Sequence, residues 1–389
     1  MTFFEIIFWL SAFVIVYHML IHPLILITFS RKSNHSAQVT LKYETAHPAV
    51  DIIMPMYNES ACVKQKLENL LVMDYPLDKL NIYIGLDGCT DSTRQIIEQV
   101  ISELCFRQMR IVLIDFPVNR GKIKVLNDLM ALGRSDMVIL TDASAVMPPN
   151  AITHLVTQLQ QTHTGAVSAG YKLLKPGQEG ESFYWKYQSL IKSAESRLGS
   201  VIGAHGSCYA VRRQLFKPLT AETINDDFII PMNIISQGYR VAYSTRVIAF
   251  ELEGSSSTQD FTRRKRISLG NIQQVFACTD VLNPKYGWTA FNFLFGKVVR
   301  AMLPVLLALI LLSSAILSSE LFYQLVFITQ ILVYGATSVG IILHKAPSNS
   351  YLYLIFYVVS GYIAGLIGTV LFMSGKANYS WQKKQEDYE

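Results

Sequence analysis

The sequence predicts an α/β domain with a mostly parallel sheet, joined to transmembrane α-helices. Three observations predict it. Short β-branched runs alternate with helical stretches between Val50 and Leu252, which is how strand–helix units of a parallel sheet read. Apolar runs long enough to cross a bilayer flank that region, at Phe3–Phe29 and from residue 301 to 373. Hydrophobic residues reach 51% and charged residues only 16%, and the excess sits at those two ends, leaving the middle with the composition of an ordinary globular domain.

The first apolar run, within residues 1–30, is expected to be an N-terminal transmembrane helix. A cleaved signal peptide fits it poorly, because it lacks a basic leading segment and its apolar stretch is too long. His18, His22 and Pro23 interrupt the run and carry no assigned chemistry. Arg31 and Lys32 follow it directly, whereas nothing basic precedes it. The positive-inside rule then puts the N-terminus outside and the central domain in the cytosol.

The central domain is expected over residues 48–282. Its candidate strands are Val50–Met56, Asn81–Leu86, Arg110–Ile114, Met137–Thr141 and Gly165–Tyr171, with helices near 60–72, 91–105, 121–133 and 149–161. In such sheets ligands sit outside the carboxyl ends of the strands. Polar residues gather there: Pro55-Met56-Tyr57-Asn58-Glu59 after the first strand, Asp87-Gly88-Cys89-Thr90-Asp91 after the second, and Thr141-Asp142-Ala143-Ser144 after the fourth. Any one of these would serve as a helix cap or a turn. Three such strand ends in one domain point to one pocket. The sequence contains neither GxGxxG nor GxxxxGK[ST], so phosphates bound here must be held by cations. Asn119-Arg120-Gly121-Lys122 supplies a lysine at a helix start.

Residues 283–300 are expected to form a helix lying in the membrane interface, since Trp288, Phe291, Phe295 and Val299 recur at helical spacing beside Lys297 and Arg300. A helix packed on the globular domain is the alternative. Within 301–375, three spans follow at 301–319, 321–343 and 351–373, with His344 and Lys345 marking a cytosolic turn and 376–389 a polar tail. The five cysteines (Cys62, Cys89, Cys105, Cys208, Cys278) have no CxxC spacing, which fits reduced thiols better than a disulfide framework or a zinc site. A net charge of +5 without a run of like charges gives nucleic-acid binding no support.

Taken in order, the Met54–Glu59, Asp87–Asp91, Asn119–Lys122 and Thr141–Ser144 segments resemble the inverting family 2 glycosyltransferases of GT-A fold. Gly203-Ala204-His205-Gly206, Asn225-Asp226-Asp227 and Arg263-Arg264-Lys265-Arg266-Ile267 resemble that family's membrane polysaccharide synthases, of the cellulose, hyaluronan and poly-N-acetylglucosamine type. The resemblance covers residues 48–300 and rests on seven motifs in sequence.

The resemblance implies that Pro55, Tyr57, Glu59 and Asp87 meet the donor, with Asp87 accepting the N3–H of a uracil base. Asp91 braces the loop or caps the next helix. Lys122 offsets phosphate charge. Asp142 matches the first acid of the DxD metal motif, implying Mg2+ or Mn2+, while Ser144 replaces the second acid with a weaker neutral ligand. Arg263 and Arg266 share a helix face in the place of QxxRW, with Arg for Gln and Ile267 for Trp, a departure that weakens processivity. A basic patch for anionic lipid headgroups is the alternative for these arginines. His205, Gly206 and Asp226 fall where the acceptor sugar sits, and Asp227 is the general base. Asn225 and Asp226 acting as a helix cap is the structural alternative for that pair.

The implied activity is transfer from a nucleotide-sugar, expected to be a UDP-sugar, to a growing polysaccharide at the inner (cytoplasmic) membrane, with the catalytic domain cytosolic. Transfer of one sugar to a polyprenyl-phosphate or other lipid-linked acceptor is the second reading, and product length separates the two. A non-catalytic nucleotide-sugar sensor is the third. Expected partners are the donor, a glycan or lipid-linked acceptor, membrane lipid, and a second copy or an export pore, because four spans are few for a polysaccharide channel.

Overall fold

The computed structural model describes residues 2–32, 47–103, 109–173, 179–251, 257–345, 347 and 349–375. Two compact units result: the N-terminal and C-terminal apolar helices form one, and the α/β sheet with its helices forms the other. Cys105 and the 376–389 tail lie outside the described residues.

Helix α1 (Phe3–Val16) opens with a capping box, in which Thr2 and Glu5 satisfy each other's backbone N–H groups. A π-turn over Tyr17–Ile21 leads into α2 (His22–Lys32), so the stretch Phe3–Lys32 is one helix long and apolar enough to cross a membrane.

In the α/β unit, β1 (Val50–Met56) is buried at every position, as a strand with covered faces on both sides must be. It pairs in parallel with β2 (Leu80–Asp87) and β4 (Met137–Thr141), and β2 pairs in parallel with β3 (Arg110–Phe116). Beyond β4 the sheet becomes mixed. Going outward, β7 (Cys208–Arg212) runs antiparallel between β4 and β6 (Thr164–Leu173), β6 runs parallel to β8 (Arg240–Glu251), and β5 (Ala145–Val146) closes the order β3-β2-β1-β4-β7-β6-β8-β5. Three of these strands, β5, β7 and β8, were not among the five expected.

Helices α3 (Val63–Leu71), α4 (Thr93–Glu103), α5 (Lys122–Leu132) and α6 (Ala151–Leu159) are the four expected connections. They bury an apolar stripe such as Val63, Leu67 and Leu70 of α3. Two further helices, α7 (Glu179–Leu198) and α8 (Asp226–Ser236), precede β7 and β8.

At the amino end of the sheet, away from the strand-end loops, the fully buried Asp51 carboxylate is completely partnered. It accepts from the N–H groups of Arg134 (2.8 Å) and Ser135 (3.0 Å), from Asn81 Nδ2 (2.8 Å) and from Arg213 Nη2 (2.6 Å). A buried charge is tolerated only with such pairing.

The other unit continues with α9 (Ser257–Ala277), α10 (Trp288–Phe293), α11 (Val299–Ile316), α12 (Leu321–Ile342) and α13 (Ser350–Met373). Grouping α9 with the apolar helices rather than with the sheet differs from the expected 48–282 boundary. A separate interfacial helix over 283–300 is also not found. The helix beginning at Trp288 runs through a π-turn at Leu294–Val298 straight into α11, giving one apolar helix over Trp288–Ile316. The π-turn absorbs what looked like a boundary, and His18 Nδ1 lies 2.7 Å from the Phe295 carbonyl oxygen inside it.

Among the described residues, four helices are thus long and apolar enough to cross a bilayer. Helix α13 turns glycines toward its neighbours: a Cβ on Gly365 would meet Pro304 Cγ at 2.7 Å, and one on Gly368 would meet the Leu269 nitrogen at 3.0 Å. Small residues let helices approach this closely within apolar surroundings.

Candidate active site

The loops after β1 and β2 are stitched to each other. Asn58, held at φ 52°, accepts the Thr90 N–H at 2.9 Å and donates from Nδ2 to Thr90 Oγ1 at 3.1 Å. Glu59 N–H donates to Thr93 Oγ1 at 2.8 Å, and Ser60 N–H to Asp91 Oδ2 at 3.1 Å. Asp91 also accepts the N–H of Thr93, the first residue of α4, at 3.0 Å. It therefore caps the helix and braces the loop. Burial pushes the Asp91 carboxyl up, but the donors on Thr93 and Ser60 outweigh it and hold it below the usual carboxylate range.

Tyr57 and Glu59 are half-buried on this loop. Pro55 is not on it: the residue is buried inside β1 opposite Gly85, beyond the last pair with β4. A proline there interrupts no ladder with β4, and its burial differs from the expected donor contact.

Asp87 also differs from expectation. Its side chain is fully buried, and its two oxygens accept the N–H groups of Arg120 (2.6 Å) and Gly121 (2.8 Å). The carboxylate thus faces the loop that launches α5 rather than solvent. Gly88, at φ 66°, lets the two loops touch, since a Cβ there would collide with the Asn119 backbone nitrogen.

The loop held by Asp87 delivers Lys122, the first residue of α5, into a cluster of acids. Its Nζ lies 3.2 Å from Asp142 Oδ1 and 3.2 Å from Asp226 Oδ1. Burial alone would lower the lysine, but Asp142, Asp226 and Asp227 raise it above the ordinary lysine range. Asp142 is 41% exposed and Asp226 only 9%, so the first faces solvent and the second does not.

Asp226 and Asp227 open α8, where the helix dipole favours negative charge. The side chain of Asn225 makes no capping bond. The Asp227 carbonyl accepts the Ala204 N–H at 2.8 Å, which pins the Gly203–Gly206 turn beside the acid pair. A Cβ on Gly206 would stand 3.3 Å from Asp142 Oδ2 and 3.4 Å from Asp227 Oδ2. Glycine leaves open the gap that these two carboxylates border. His205 stacks on Tyr171, ring centres 5.6 Å apart, and its N–H donates to Ser168 Oγ at 3.2 Å.

Asp142, Lys122, Gly206, Asp226 and Asp227 therefore converge, with Ser144 half-buried on the turn closed by the Ala145 N–H and the Asp142 carbonyl at 3.3 Å. The gap at Gly206 and the all-oxygen donors suit a hard divalent cation. Such ions commonly take one or two carboxylates and complete their shell with substrate phosphates and water. Among the described residues no three His, Cys, Asp or Glu side chains form a ready-made metal cage.

Arg263 and Arg266 are carried by α9 of the other unit, where both are exposed. Between them, Arg264 donates to the Tyr357 carbonyl at 2.6 Å and stacks 3.6 Å over the Tyr357 ring.

Sequence reasoning missed Lys66 and Tyr209. Lys66 is fully buried under the Asp142 turn, with Nζ 2.8 Å from Thr141 Oγ1 and 2.6 Å from the Ala145 carbonyl. Its signal was a lysine within the apolar stripe of Val63, Leu67 and Leu70. Tyr209 of β7 is buried, and its hydroxyl has no partner among the described residues. Burial first, then Asp226, Asp227 and Asp142, push it well above the usual tyrosine range. No sequence feature set it apart from other core aromatics.

Among solved structures, the mannosyltransferase PcManGT from Pyrobaculum calidifontis, in complex with GDP-Man and Mn2+, aligns with 95% of this chain and 100% of its own at TM-score 0.69 and 19% identity. That likeness shows the shared α/β fold. The probable glycosyltransferase YdaM of Bacillus subtilis is 23% identical over 304 residues, covering 72% of this chain and 68% of its own length. The poly-β-1,6-N-acetyl-D-glucosamine synthase of Staphylococcus epidermidis is 24% identical over 211 residues, 52% of this chain and 50% of its own. The β-monoglucosyldiacylglycerol synthase of a Nostoc species is likewise 24% identical over 211 residues, 52% of this chain and 43% of its own. The chain thus spans about half the length of these last two relatives. The family described as glycosyltransferase-like family 2 matches residues 47–270, more than half of the chain, and the chain belongs to it: this protein is a family 2 glycosyltransferase.

Proposed function

We propose that this enzyme transfers a sugar, with inversion, from a nucleotide-sugar to a growing glycan at a bilayer, on the cytosolic face of the inner membrane. The observation that carries the reading is the convergence of Lys122, Asp142, Asp226 and Asp227 on one gap at Gly206. The loops around Tyr57 and Glu59 hold the nucleotide end. Lys122 lies where a donor diphosphate would need positive charge, and Asp142 with Ser144 would hold Mg2+ or Mn2+. A bound cation there supplies charge neutralisation for the departing diphosphate.

Asp227 is assigned as base because it is half-buried and turns an oxygen toward the gap at Gly206, whereas Asp226 is buried. The acceptor hydroxyl gives its proton to Asp227 as its oxygen bonds to the anomeric carbon. The bond from that carbon to phosphate breaks, and the nucleoside diphosphate leaves with the electron pair. His205, fixed against Tyr171, lines the acceptor side. The apolar helices are assigned to the lipid boundary.

A relative named as a polysaccharide synthase supports the polymer reading. A second reading, one sugar added to a lipid acceptor, is favoured by the Arg263 and Ile267 departures from QxxRW and by the relative that is a glucosyldiacylglycerol synthase. The test is a donor screen on purified protein in detergent, following nucleoside diphosphate release and product mass with and without manganese. A polymer from one donor supports the first reading and a single added sugar the second. No release from any UDP- or GDP-sugar contradicts both.

A further inference from the structure

We propose that Lys66 is a positioning residue that locks the Asp142 turn to the Gly203–Ser207 turn, and so sets the spacing between the donor and acceptor sides of the site. The inference rests on the proposed function and deepens it.

Lys66 belongs to α3, where Val63, Leu67 and Leu70 form the buried stripe, and its side chain is 0% exposed. An ammonium in such a place is costly unless it is bonded. A methionine would fill the same volume without that cost. What the lysine supplies is a clamp. Its Nζ reaches Thr141 Oγ1 at 2.8 Å and the Ala145 carbonyl at 2.6 Å, the two ends of the turn that carries Asp142 and Ser144. Thr141 Oγ1 in turn donates to the Ser207 carbonyl at 2.6 Å. Ser207 follows Gly206, the residue that the Asp142 and Asp227 carboxylates border.

The chain Lys66 to Thr141 to Ser207 therefore runs beneath the site from one side to the other. A hydroxyl that accepts from an ammonium and donates to a carbonyl is held in one rotamer. The titratable groups facing Lys66 are Cys208, Asp142 and Cys62.

Loosening this chain should misalign the two sides rather than empty either one. A donor still bound, but poorly aligned with the acceptor, passes its sugar to water. The water oxygen then bonds to the anomeric carbon, Asp227 takes the proton, and free sugar and nucleoside diphosphate leave. The diagnostic quantity is nucleoside diphosphate released per sugar transferred. A lower fraction of folded enzyme scales both equally and leaves that ratio alone.

The experiment uses full-length protein in phosphatidylethanolamine–phosphatidylglycerol vesicles containing diacylglycerol and undecaprenyl phosphate. Radiolabelled UDP-glucose, UDP-N-acetylglucosamine and GDP-mannose are the donor probes. Lys66→Met and Thr141→Val are each expected to raise the ratio at least about threefold and to lower kcat about tenfold, with donor KM within about twofold of wild type. Thr141→Ser, which keeps the hydroxyl, is expected to keep the wild-type ratio. If Lys66→Met does not fold, the two Thr141 variants decide. An unchanged ratio in Thr141→Val, or in a folded Lys66→Met, overturns the inference while leaving the proposed function standing. A wild-type enzyme that releases nothing from any donor overturns the proposed function, and this inference with it.

Discussion

Lys122 Nζ meets Asp226 Oδ1 at 3.2 Å, joining the first residue of α5 to the first residue of α8. The same ammonium is 3.2 Å from Asp142, so one cation serves the acids on both sides of the gap. Two adjacent carboxylates resist joint ionisation. Asp226 has Lys122 as a counter-charge, and Asp227 turns an oxygen toward the gap at Gly206.

Lys122→Ala is expected to lower kcat/KM by about 10²–10³-fold, the scale of losing one oriented charge at a developing anion. Nucleoside diphosphate release under steady state checks it. A loss below about threefold would mean that the lysine serves the free protein only.

Chelation is expected to abolish transfer, and manganese to restore it. Ser144→Asp returns the second acid to the Asp142 turn and is expected to lower the manganese needed for half-activation about tenfold, since affinity rises with ligand charge. Manganese binding in the presence of UDP, followed by electron paramagnetic resonance, checks this without relying on turnover.

The Asp51 network predicts a change in stability without a change in chemistry. Asp51→Ala leaves Arg213 without its buried partner and is expected to cost about 3–5 kcal/mol. Chemical denaturation of the purified protein measures that loss. The enzyme that remains folded should keep its wild-type KM, because the network sits at the opposite end of the sheet from the strand-end loops.

Lys66 also predicts a pH dependence. Burial lowers it from the ordinary lysine value to about 8, against smaller opposing effects of Cys208, Asp142 and Cys62. Between about pH 8 and the usual lysine range, the unfolded chain then holds a proton there that the folded chain has lost. Stability therefore rises with pH across that window. The Tm of wild type should increase relative to that of Lys66→Met between pH 7.5 and pH 9.5. A flat difference between the two proteins would contradict the assignment.

Much of this was legible because a parallel sheet places chemistry at strand ends. Asp142 and the loops at Tyr57 and Asp91 each follow a run of apolar residues, and such runs stand out in a sequence. The failures have physical causes as well. Asp87 occupies a strand end, yet it spends its carboxylate on the backbone of Arg120 and Gly121, a partner no local pattern reveals. Lys66 breaks an apolar stripe, and spacing alone does not show that acceptors wait inside. The short strand β7, inserted antiparallel between β4 and β6, has its register set by neighbours distant in sequence. The supposed boundary before α11 was charge without a helix break, since a π-turn lets the chain continue.

The most direct test of the central claim is Asp227→Asn, with turnover and donor binding measured on the same protein. The substitution keeps the shape and removes the proton acceptor. Transfer should fall about 10²–10⁴-fold, the range attributed to a positioned base, while the dissociation constant of the donor stays within about threefold of wild type. Transfer at the wild-type rate by Asp227→Asn would contradict the account.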